Sequence, residues 1–272
     1  VTLTSEELLA KVASLAGIKH TILYYGPQSE KELLANLNAH HKCAEELVEY
    51  PVKNDFQPLP TDGNRVVVAH YESPQIYYSQ VSNLGGEYNP EEDAVLTLYN
   101  EYFGGGMNSI VFQEMREARG LAYSSAASMY SPSRLGKPYT YSAFIATQND
   151  KMAQAMAAFS EIIEQMPESE AAFQLAKESL IANYRTSRTT KTAVLNAYMA
   201  ASELGIDYDR AEKIYAALQT LTLEDVKAYQ QSRVKGLDYT YMILGDTKDI
   251  DLDYLSSVGA VEKVSAEEIF GY

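Results

Sequence analysis

The sequence predicts an α+β fold. Runs rich in β-branched and aromatic residues come in pairs around Pro- or Gly-containing turns, at Arg65–Ser82 and Leu121–Thr147. From about residue 150 the apolar period changes to 3.6 and stays helical to about residue 232. Strands joined in pairs by short turns suit antiparallel pairing, and together with the helical stretches they make an α+β chain.

Thr4-Ser5-Glu6-Glu7 has capping-box spacing and predicts a helix from Ser5 to about Leu15. His20–Tyr25 (HTILYY), closed by Gly26-Pro27, reads as a strand. Ser29 and Glu32 cap a second helix that runs to about His40. Residues 51–64 carry Pro51, Pro58, Pro60 and Gly63 without periodicity and read as a linker. Arg65–His70 and Gln75–Ser82 then read as paired strands around Glu72-Ser73-Pro74.

Asn89-Pro90-Glu91-Glu92 starts a helix with a capping Asn, a first-turn Pro and acids at the positive end of the dipole. Val95, Leu98, Tyr99 and Tyr102 share one face of it, and Gly104-Gly105-Gly106 breaks it. A helix over Asn108–Arg119 ends at Gly120, a natural residue for a left-handed stop. Strands Leu121–Tyr130 and Pro138–Thr147 follow. Met152, Met156, Phe159, Ile163 and Met166 then mark one helical face, and Phe173, Ala176, Leu180 and Tyr184 another. Further helices are expected near 192–204, 209–219 and 223–232, and a last strand at Tyr239–Leu244; the remainder is acidic and weakly patterned.

Two stretches echo each other. Leu3-Thr4-Ser5-Glu6-Glu7-Leu8 resembles Leu221-Thr222-Leu223-Glu224-Asp225-Val226, and Thr21–Gly26 matches Thr240–Gly245 in pattern. Residues 1–50 then read as the closing segment of a preceding repeat unit, and 65–272 as a complete α/β domain. On that reading the sequence is a piece of a longer protein.

Composition excludes several function classes. There are 22 basic and 37 acidic residues, a net charge of −15. Such a chain lacks the cations that displace phosphate counterions on nucleic acid or hold anionic lipid. No apolar run approaches the ~20 residues that cross a bilayer, so no membrane insertion is expected. One cysteine, Cys43, excludes an internal disulfide framework and a four-thiolate zinc site.

The common catalytic motifs are absent. Neither H-E-x-x-H nor H-x-x-E-H occurs among His20, His40, His41 and His70. His41 and Glu45 have helical i, i+4 spacing, but two ligands do not close a zinc site. Cys43 lies near two histidines in sequence, yet close neighbours on one helix do not face each other. Gly104-Gly105-Gly106 lacks the Gly-Lys-Ser/Thr of a phosphate loop and reads as a turn device.

What remains is Gly104–Tyr130, GGGMNSIVFQEMREARGLAYSSAASMY. This stretch resembles the signature of the non-catalytic half of the M16 (pitrilysin/insulinase-type) zinc metallopeptidases. The family shows a Gly-rich turn, a helix ending in Arg-Glu-x-x-Gly-Leu-Ala-Tyr, and a small-residue strand. Arg65–Ser82 and Leu221–Gly245 resemble the opening and closing parts of such a domain.

The resemblance implies a half-clamshell domain with a mostly antiparallel sheet covered by helices on one face. It implies that zinc is held by a partner half, in the same polypeptide or another subunit, with none in this chain. It also implies that Arg116 and Tyr123 contact peptide substrate, the Tyr hydroxyl supporting the transition state near the scissile bond. Read by position alone, Arg116 is a last-turn cation on its helix, and Tyr123 shares a strand face with Leu121, Ser125 and Ala127. The expected function is the chamber-closing half of an M16 endopeptidase. The alternatives are a catalytically inactive M16-like scaffold or subunit, or an unrelated α/β interaction module.

Overall fold

The computed structural model describes residues 3–50 and 56–271. The chain divides into two compact units: one up to Gln57 together with Arg188–Met199, the other Pro58–Ser187 together with Ala200 onward.

The first unit holds helices α1 (Ser5–Ser14) and α2 (Glu30–His40). Both start with the expected capping boxes. Thr4 accepts from the Glu7 amide while Glu7 accepts from the Thr4 amide, and Ser29 and Glu32 repeat the exchange. Neither helix buries a residue. The expected strand at His20–Tyr25 does not form. Among the described residues of this unit one isolated parallel bridge, Ile18 to Val48, is present, and without a neighbouring ladder an apolar run has no strand to join. Of the expected linker, residues 51–55 lie outside the described residues, and 56–64 form neither helix nor strand.

The second unit contains β1 (Arg65–His70), β2 (Gln75–Leu84), α3 (Asp93–Phe103), α4 (Ile110–Phe112), β3 (Ser124–Tyr130) and β4 (Tyr139–Gln148). They are followed by α5 (Met152–Gln165), α6 (Glu170–Thr186), α7 (Thr192–Glu203, part of which belongs to the first unit), α8 (Arg210–Leu218), α9 (Leu223–Arg233) and β5 (Thr240–Gly245). The chain then forms α10 (Leu252–Val258), β6 (Ala260–Val264) and α11 (Ala266–Phe270). These last three occupy the tail that looked weakly patterned. Its strand is short and half exposed, so it carries little apolar alternation.

The six strands form one mixed sheet in the order β3-β4-β2-β5-β1-β6. The β3–β4, β4–β2 and β2–β5 ladders are antiparallel, and both ladders of β1 are parallel. The α+β class and the mostly antiparallel sheet therefore hold. The pairing of β1 with β2 does not: β5 enters between them, with Val66 opposite Tyr241 and Val81 opposite Thr240. A short connection made the local pairing look natural, but a strand from the far end of the chain takes the place.

One sheet face is packed and the other is open. Val66, Val68, Ile76, Tyr78, Tyr141, Ile145 and Ile243 are buried in a single core with Phe159 and Ile162 of α5 and Leu98 and Phe103 of α3. On the opposite face Tyr77, Met242 and Leu244 are exposed. Buried tyrosines keep their hydroxyls paired in several places: Tyr102 donates to the Pro167 carbonyl at 3.2 Å, and Tyr139 accepts from the Asn89 amide at 2.9 Å. The start of α3 is clamped by two arginines. Arg210 grips Asp93 at 2.5 and 2.6 Å, and Arg233 grips Glu92 at 2.6–2.9 Å.

Candidate functional site

The Gly-rich turn lets α3 close against the sheet edge. A Cβ on Gly104 would lie 2.6 Å from the carbonyl carbon of Ala127 and 2.7 Å from its nitrogen, so only glycine fits that approach to β3. One turn earlier, Asn100 donates to the Met129 carbonyl and accepts from the Met129 amide, each at 2.8 Å. β3 is an edge strand, yet its edge is occupied at Ala127 and Met129. Backbone groups alternate in direction along a strand, so Ser125 is the remaining edge-facing position, two residues from Tyr123.

After the turn, Ser109 caps α4 and accepts from the Phe112 amide. The helix then widens into a π-helix over Gln113–Ala118, with the Arg119 amide bonded to the Glu114 carbonyl. Such wide turns insert one residue into the helical register and redirect side chains. Met115 anchors the segment in the core, while Arg116 faces outward. Gly120, at φ +58, ends it in the left-handed region, and the Leu121 and Ala122 amides close back on the Met115 carbonyl.

Tyr123 does not share a face with Leu121, Ser125 and Ala127. Leu121, Ser125 and Ala127 are buried, and Tyr123 is 72% exposed. The Tyr123 amide donates to the Ala146 carbonyl at 2.9 Å, while Ser124 also stands opposite Ala146. Two residues against one make a bulge, which breaks the alternation and turns Tyr123 outward.

Arg116 and Tyr123 come together there. The guanidinium carbon lies 5.5 Å from the centroid of the Tyr123 ring and 5.1 Å from that of Phe112. Arg116 Nε is 3.6 Å from the Glu117 carboxylate. The Tyr123 hydroxyl makes no hydrogen bond to any of the described residues. Arg119, in contrast, is tied down. It meets Glu161 of α5 at 3.1 Å and Glu114 at 3.5 Å, and its hydrogen bond to Glu161 raises its pKa. Arg119 thus fastens the helix to its neighbour and leaves Arg116 as the outward cation.

The surroundings of this pair do not fit a zinc site. Among the described residues, one group brings three histidine, cysteine or carboxylate ligands together, and it lies in the first unit: His20, His41 and Cys43. The sequence spacing alone places His41 and Cys43 as neighbours on one helix. In fact α2 ends at His40, so His41 and Cys43 lie in the following turn and His41 does not share a helical face with Glu45.

A protein-family model described as the peptidase M16 inactive domain matches residues 20–180 of the chain. Three solved structures share the fold. A peptidase M16 inactive domain from Pseudomonas fluorescens is 18% identical with a TM-score of 0.62, covering 82% of this chain and 52% of that one. A conserved protein from Enterococcus faecalis V583 is 16% identical with a TM-score of 0.64, covering 82% and 51%. A protease from Helicobacter pylori is 12% identical with a TM-score of 0.62, covering 80% and 53%. The chain therefore spans about half the length of the solved structures it matches. No curated protein matches it. With the family model covering more than half of the sequence, the chain belongs to the peptidase M16 inactive-domain family.

Proposed function

We propose that this chain forms the non-zinc half of an M16-type endopeptidase chamber and contacts peptide substrate near the scissile bond through Arg116 and Tyr123. The observation that carries this reading is the stacked pair: an exposed tyrosine held under a guanidinium, its hydroxyl making no hydrogen bond among the described residues. A tyrosine kept for packing would be buried, and one kept for solubility would not need an arginine to orient it. The phenol can donate to a developing oxyanion without carrying charge, which is worth about 3 kcal/mol where the geometry is good. The guanidinium offers a rigid fork of donors to peptide carbonyls. The partner half would hold the zinc, which would polarise the scissile carbonyl, and Tyr123 would supply a hydrogen bond to the developing oxyanion.

The first unit completes an upstream half in this proposal. Its α1 echoes α9, and both begin with a capping box. In α9, Val226 and Gln230 are buried; the matching Leu8 and Val12 of α1 are 58% and 57% exposed. An apolar helix face of this kind requires the rest of its own sheet. In this proposal residues 1–50 belong to a preceding repeat, 51–64 to a linker and 65–272 to the present domain, and the exposed apolar face of α1 supports that reading.

The test is Tyr123→Phe in the assembled full-length enzyme. The expected result is a loss of about 100-fold in kcat/KM, carried by kcat, with an unchanged melting temperature. Activity within twofold of wild type overturns the role of Tyr123. An assembled protein that binds peptide and never cleaves it supports the inactive scaffold instead.

A further inference from the structure

We propose that the first unit carries a divalent-cation site of the zinc type, built from His20 Nε2, His41 Nε2 and Cys43 Sγ. The three ligand atoms lie within 4.8 Å of one another. His20 Nε2 is 2.7 Å from His41 Nε2 and 3.8 Å from Cys43 Sγ. Tetrahedral zinc, with bonds of about 2.05 Å to nitrogen and 2.3 Å to sulfur, separates two nitrogens by about 3.3 Å and a nitrogen from a sulfur by about 3.6 Å. The sulfur already stands close to that distance. The two imidazoles must part by about 0.6 Å, a small side-chain rotation for exposed rings.

The tautomer of His20 is fixed by its backbone. Its Nδ1 lies 2.7 Å from the Ile18 carbonyl, which can only accept. The proton therefore sits on Nδ1, and Nε2 presents a lone pair to His41 and Cys43. A ring nitrogen donating to a main-chain carbonyl while its opposite nitrogen faces a ligand cluster is the usual support of a metal-bound histidine. In the metal-free chain, His41 Nε2–H donates to His20 Nε2. When the cation enters, His41 carries its ring proton on Nδ1 and Cys43 gives its thiol proton to solvent. One proton is released per cation. All three side chains are exposed, so the cation enters from solvent and water fills the fourth position.

Such a site would serve as a staple. It ties the segment at Ile18–His20 to the turn after α2 and closes the loop that contains α2. This happens beside the single Ile18–Val48 bridge, where the Lys19 amide bonds the Val48 carbonyl at 2.8 Å and the Val48 amide bonds the Gly17 carbonyl at 2.9 Å. Neither helix of this unit buries a residue. Small units with little core gain most from a metal crosslink.

The experiment uses the whole chain without an affinity tag, stripped with a chelator and titrated with Co²⁺. The expected result is saturation at one Co²⁺ per chain, with a thiolate-to-cobalt charge-transfer band, visible bands of four-coordinate cobalt, and loss of both on adding equimolar Zn²⁺. Cys43→Ser removes the charge-transfer band. His20→Gln and His41→Gln each weaken binding by at least about 10-fold with unchanged circular dichroism. Zn²⁺ also slows alkylation of Cys43. Absence of saturable binding overturns the proposal. So does binding that persists unchanged in Cys43→Ser or in both histidine variants, because the cation then sits elsewhere.

Discussion

Replacing Arg210 with alanine removes a cation from a carboxylate that has little access to water. The Asp93 side chain is 5% exposed and holds three bonds: Arg210 Nε at 2.5 Å, Arg210 Nη2 at 2.6 Å and the Tyr88 hydroxyl at 2.5 Å. The Tyr88 bond and the amino end of α3 survive the substitution, while both charge-assisted bonds disappear. Removing one partner of a buried pair costs about 3–5 kcal/mol, and partial exposure of Arg210 places this case near the lower end, about 3 kcal/mol. For a unit of roughly 200 residues, 1 kcal/mol moves the melting temperature by about 2–4 °C, so a fall of about 6–12 °C is expected. Urea denaturation followed by circular dichroism measures the loss. The double variant Arg210→Met with Asp93→Asn should recover more than half of it, since no charge is then left buried. A loss below about 1 kcal/mol, or a double variant as unstable as the two single variants added together, would refute the reasoning.

Two further outcomes follow from the packing and the caps. Gly104→Ala places a methyl group inside contact distance of the Ala127 backbone and should cost about 2–3 kcal/mol, read as a lower denaturation midpoint with the native circular dichroism spectrum retained; a neutral substitution would mean that the turn does not press on β3. The Asp225 carboxyl is held below its usual value by the Thr222 hydroxyl and then the Thr222 amide. A depressed folded pKa gives stability that is present above the unfolded pKa and lost as pH falls through the folded one. Acid titration of Asp225→Asn should therefore show a shallower loss of stability below the ordinary carboxylate range than wild type, and an identical slope would count against the cap.

What could be read in advance was local. The capping boxes at Thr4 and Ser29 form as the spacing requires, because each needs only a side chain and an amide three residues away. The Gly104 turn and the helix stop at Gly120 were legible for the same reason. The failures were set by distant partners. His20–Tyr25 has strand composition and no ladder. β1 and β2 are close in sequence but are parted by β5. Glu92 reads as an acid favoured by the helix dipole, and its grip on Arg233 is invisible from 141 residues away. The outward turn of Tyr123 depends on a bulge against Ala146, which alternation alone cannot predict. His20, His41 and Cys43 meet only because α2 ends one residue before His41. The Ser265–Glu268 capping box of α11 has the same spacing, within the tail whose apolar patterning is weak.

The central position of β5 has a bearing on how the chain is made. Residues 240–245 slot between two strands that emerge from the ribosome some 160–180 residues earlier. Until that segment arrives, β1 and β2 each expose a long unsatisfied hydrogen-bonding margin next to an apolar surface. Synthesis proceeds at about 5–20 residues per second, so the interval lasts on the order of ten seconds. Over that interval the nascent chain is a candidate for chaperone binding and for pairing with the wrong strand. Completion of the sheet is thus a late, long-range event governed by the last third of the polypeptide.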